Sequence, residues 1–134
     1  MIVDEFIHRY YFDTISTIGY ECFVEDAIPE TLPYPFVVLR EVQCIERFSP
    51  CPMWVSYVTI DIVTGSKNKI GRVPSLQIAE DIHTAIKSSV GYTDEGYRVN
   101  STYTTNSTPL SESDSINNVY RNIRTYVHQV SIVS

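Results

Sequence analysis

The sequence predicts one α+β domain, a mostly antiparallel β-sheet of about four to five strands with two helices packed on one face. Three observations carry this. Apolar residues recur at three-and-four spacing in two separated stretches, β-branched and aromatic residues dominate several others, and the strand-like segments fall in neighbouring runs with the helices at separate points. A chain of 134 residues suffices for one core, removing roughly two-thirds of the unfolded surface from water, so residues 1–134 are read as a single domain.

From Ile2 to Ile18 the apolar positions Ile2, Val3, Phe6, Ile7, Tyr10, Tyr11, Ile15 and Ile18 trace one helical stripe, and Gly19 suits the position past a helix end. Tyr20 to Glu25 alternates as a short half-exposed strand. "LPYPFVVLREV" then brings two prolines, Pro33 and Pro35, before an apolar run; each fixes its own backbone angle and extends the residue before it, so the chain reaches the sheet already straight. Phe36 to Ile45 and Met53 to Thr64 are the next strands, joined by the projecting tip "ERFSPCP". In the second of them Trp54, Val58, Ile60 and Ile62 share one side, and Val55, Tyr57, Thr59, Asp61 and Val63 the other. A basic loop, "TGSKNKIG", lacks the spacing of a phosphate loop and leads to a helix from about Pro74 to Ser88, with Leu76, Ala79, Ile82, His83 and Ile86 as its buried stripe. "GYRVNSTYTTNST" and "NNVYRNIRTYVHQVSIV" close the sheet, and the polar "PLSESDSINN" between them is expected to be a mobile loop.

The formal net charge of -6 disfavours a protein that grips nucleic acid, yet suits a wall past which nucleic acid slides. No apolar run reaches membrane-span length. Cys22, Cys44 and Cys51 form no metal-type CxxC and are read as reduced, partly buried thiols. His8, His83 and His128 lie on different elements and are read as structural, so no catalytic residue, metal site or cofactor is assigned. Asp61, inside "VTIDIV", is read as lying on the solvent face or pairing across strands with Arg121 or Arg124. Ten tyrosines exceed what one small core needs, and part of them is expected at a protein contact.

An N-terminal helix, "PYPFVVLREV", a polar tip, "VSYVTIDIVTG", the helix "LQIAEDIHTAI" and two closing strands together resemble the tail terminator, or tail completion, proteins of long-tailed phages. The resemblance covers most of the chain. It implies a virion protein, made in the host bacterial cytoplasm, whose homohexameric ring ends the tail tube and joins it to the head–tail connector or stopper, with DNA passing through unbound. Arg40, Glu41, Glu46, Arg47, Phe48 and Trp54 are then the candidate subunit or ring interface, and Glu112 and Asp114 a candidate channel-facing or neighbour-facing loop. Another neck protein, a stopper or adaptor, shares this physics. A small cytoplasmic ligand-binding domain or enzyme is the rival from another class, and it requires a deep pocket where at least two of Asp61, His83 and His128 converge.

Overall fold

In a computed structural model of the protein, residues 2–24, 36–47, 53–66, 72–113 and 118–132 are described. Eight elements follow in order: α1 (Val3–Thr17), β1 (Glu21–Val24), β2 (Phe36–Arg47), β3 (Met53–Ser66), α2 (Arg72–Ser88), β4 (Thr93–Asp94), β5 (Tyr97–Ser113) and β6 (Asn118–Ile132). The strands form one six-stranded mixed sheet in the order β1-β2-β3-β6-β5-β4. β1 joins β2 in parallel, and the remaining neighbours are antiparallel.

The α+β class holds, but the sheet has six strands rather than four to five. The added strand is β4, which folds back on β5 through Glu95 and Gly96. Both residues have positive φ, +46° and +89°, as a two-residue type I′ hairpin turn requires. Glycine accepts this freely, whereas Glu95 is held there at a cost. The segment expected as a mobile loop is also largely strand: β5 stays paired with β6 as far as Ser113 opposite Asn118. Its Ser-rich, acidic composition shows no alternation, and the long partner strand supplies the order instead. The lead-in prolines Pro33 and Pro35, the tip residues Phe48 and Cys51, and the loop "KNKI" lie outside the described residues.

α1 ends as its sequence dictates. Gly19, at φ +92°, donates to the Ser16 carbonyl at 3.0 Å, and Tyr20 donates to the Ile15 carbonyl at 3.2 Å, which together make a Schellman cap. Both helices cover one face of the sheet. Phe6, Ile7, Tyr10, Tyr11 and Ile15 of α1 and Ala79, Ile82 and Ile86 of α2 meet Val37, Leu39, Val58, Ile60, Ile62, Val99, Tyr126 and Val130 in one core. Leu76, expected within the α2 stripe, is 41% exposed. It sits about one turn before Ala79, which is fully buried.

Candidate functional site

Among the described residues, polar clusters lie on both faces of the sheet, centred on Asp61 and on His128. On the face away from the helices, Asp61 is fully buried. Arg40 donates to its Oδ2 from Nε at 3.1 Å and from Nη2 at 2.9 Å, and Arg121 Nε approaches the same oxygen at 3.4 Å. Register explains the convergence: Asp61 stands opposite Val38 on β2 and Ile123 on β6. Arg40, two residues beyond Val38, projects from the same face by ordinary strand alternation, and the irregularity between Leu39 and Glu41 leaves it as the extra residue beside Asp61. The expected cross-strand partner Arg121 is therefore present, joined by Arg40. Arg40 lies within β2 rather than at its end, its side chain 33% exposed and paired with Asp61. Arg124, the other partner considered, lies beneath α2, where it donates to Glu80 at 2.9 Å and to Asn122 at 2.8 Å. That guanidinium holds the Glu80 carboxyl below its ordinary value.

On the helix face, His128 is fully buried. Its ring nitrogens meet the hydroxyls of Tyr11 and, at 2.8 Å, Thr102. Burial pushes its pKa down to about 3, so the imidazole stays neutral and needs only hydroxyl partners. Around it, Tyr10 and Tyr11 meet the ring edge-on with centroids at 5.3 and 5.5 Å, and Tyr126 stacks at 6.3 Å. The Tyr10 hydroxyl donates to the Ile86 carbonyl at 2.9 Å. Tyr126 in turn bonds and stacks with His83, whose value is lowered first by desolvation and then by Arg124. Part of the tyrosine excess is thus internal: Tyr10, Tyr11 and Tyr126 are fully buried, and Tyr20, Tyr92 and Tyr97 pack against the core, whereas Tyr103 is 47% exposed.

The rival enzyme reading required convergence in a deep pocket. Asp61 lies across the sheet from both histidines, and His83 and His128 approach each other only through Tyr126. A described cavity of about 320 Å³ opens elsewhere, between the C-terminal turns of the two helices, lined by Asp13, Thr17, Ile18, Ala85, Ser89 and Tyr92. Among the described residues no three His, Cys, Asp or Glu side chains come together as metal ligands.

Of the other candidate interface residues, Glu41, Glu46 and Arg47 are exposed on β2. Glu46 and Arg47 end the strand opposite Trp54 and Met53. Trp54 is partly buried against the core, edge-on to Tyr97 at 5.6 Å, so its bulk serves the subunit first. Glu112 pairs with Val119 through its backbone. Phe48 and Asp114 lie outside the described residues.

No protein-family model and no curated protein matches the chain. Among solved structures, a chain described as "Virion of native gene transfer agent (GTA) particle" superposes with a TM-score of 0.65, covering 88% of this chain and 84% of that one. Sequence identity is 13%, so the likeness is one of fold.

Proposed function

We propose that the protein is a non-enzymatic virion structural subunit of the phage tail terminator kind, forming a homohexameric ring at the head-proximal end of a tail tube. The ring ends the tube, meets the tail tube protein on one side and the head–tail connector or stopper on the other, and lets DNA pass. The single observation behind this reading is the fold shared, over most of both chains, with a chain of a phage-like virion. Two physical features agree with it. The Asp61 and His128 clusters are committed to internal partners, and the acidic balance of the chain resists sticking to DNA.

Negative-stain imaging over rising protein concentration, with light scattering on the same samples, tests the ring directly. Discrete rings with an axial hole are expected, and six subunits per ring. Complementation tests the position: phage lacking the protein should build heads and tails that stay unjoined. Normal particles in its absence would refute the reading. The same fold likeness serves a stopper or adaptor ring, which is told apart by whether the ring binds isolated tail tubes or isolated heads.

A further inference from the structure

Among the described residues the sheet has two long edges that no strand covers, one at each end. β1 covers β2 only from Phe36 to Leu39. Among the described residues no strand lies outside β2 from Glu41 to Arg47, and Glu41, Gln43, Ile45, Glu46 and Arg47 are exposed there. At the other end β4 covers β5 only at Tyr97 and Arg98. Gly91 and Tyr92 then bond the backbone of Val99, and Lys87 donates to the Thr102 carbonyl. From Tyr103 to Ser113 no described strand lies outside β5. Unpaired amides and carbonyls in rows of this length are a template for another strand.

We infer that the occupant of each edge is a second copy of this chain: β5 of one subunit runs antiparallel along β2 of the next. The inference deepens the ring reading and rests on it for closure. Strand direction carries the first step. β2, β3, β6 and β5 alternate in direction across the sheet, so continuing past β5 with the β2 of another copy places oppositely directed strands together. The two edges are unlike, which makes the contact head-to-tail, the kind that generates rings.

Position along the strands is constrained as well. β1 blocks the first part of β2 and β4 blocks the start of β5. Both are cleared when the copies are offset along the strands, bringing the Ser113 end of β5 beside the Glu41 end of the open β2 segment. In a closed sheet of tilted strands such a stagger is what closure demands. Ile45, 42% exposed in the middle of the β2 window, then gains a neighbour.

Pro109 fixes the phase of the β5 edge. It pairs with Asn122 of β6, and a proline is accommodated in an edge strand where its missing N–H faces outward. Residues two apart point the same way. The backbone amides of Ser107, Ser111 and Ser113 therefore face the neighbour, and those of Thr108, Leu110 and Glu112 face β6.

Residue-resolved hydrogen exchange on the full chain, dilute and then concentrated, tests this together with the variant Ile45→Lys. On assembly the amides of Ser107, Ser111 and Ser113 and alternate amides from Glu41 to Arg47 should slow at least tenfold, with those facing β6 and β3 unchanged. Ile45→Lys should melt like the parent yet need at least tenfold more protein to assemble. Rings whose two edges exchange as fast as the monomer's overturn the edge pairing and leave the ring reading intact. A chain that stays monomeric at the highest concentration also overturns it; joining of tails in the complementation assay then decides the ring reading separately.

Discussion

Acid should destabilise this protein well before its carboxylates titrate, because of His128. The unfolded imidazole has its ordinary value of 6.5, whereas the buried ring is held at about 3 by desolvation. Between those values the unfolded chain binds a proton that the folded chain refuses, so stability falls as pH falls through the window and is unaffected above it. Each pH unit below 6.5 costs about 1.4 kcal/mol until the folded ring itself titrates, which makes about 2 kcal/mol by pH 5 and about 4 kcal/mol by pH 3. Glu80, held low by Arg124, adds loss of the same sign only below its ordinary 4.5. The range from pH 7 to 5 therefore isolates the histidines, and His83, lowered in the same direction but partly exposed, is removed by comparison with a variant. The assay is urea unfolding at pH 7, 6 and 5 on the parent and on His128→Gln. The parent should lose about 2 kcal/mol more than the variant between pH 7 and 5. Equal losses would refute the reasoning. Should the variant fail to fold, the NMR shift of the His128 ring in the parent answers instead; a ring that charges near pH 6 is incompatible with the argument.

Three further expectations follow from the same geometry. Asp61→Asn leaves two arginines without their shared carboxylate and should cost about 3 kcal/mol in chemical denaturation, as for other broken buried pairs; a loss below about 1 kcal/mol would mean that solvent already screens the cluster. Glu95→Asn, at φ +46°, should raise stability by about 0.5–1 kcal/mol because asparagine tolerates the left-handed region, and an unchanged melting temperature would dismiss the strain. Cys22 and Cys44, with thiols pushed up to about 12 by burial, should react with maleimide at pH 7.5 far more slowly in the native protein than in denaturant, and rapid native labelling of either would contradict their placement.

Periodicity made both helices legible, since each helix meets one sheet face and has to keep its apolar residues on one stripe. The two faces of β3 were legible for the same reason: Val58, Ile60 and Ile62 share the core while Asp61 points the other way. β4 carried no such signal, because two residues hold no period, and the far half of β5 carried none because its order comes from β6 opposite. Among the site residues, the Asp61–Arg121 pair follows from cross-strand reasoning. The Arg40–Asp61 pair was not legible, because it depends on the register that sets Val38, two residues before Arg40, opposite Asp61. Tyr11 and Thr102 lie 117 and 26 residues from His128, so their shared histidine is a product of the fold alone.

The position of β6 bears on how the chain comes to be made. It lies between β3 and β5, and β3 is bonded to it along its whole length from Met53 to Ser66. During synthesis β3 emerges with β2 on one side and nothing on the other. Some fifty residues, the stretch from Ser66 to Asn118, have to be translated before its second partner begins to appear, which takes about 3–10 seconds at ribosomal speed. For that interval the nascent sheet ends in a bare apolar strand. It is the part of the molecule that a ribosome-bound chaperone would have most reason to shield.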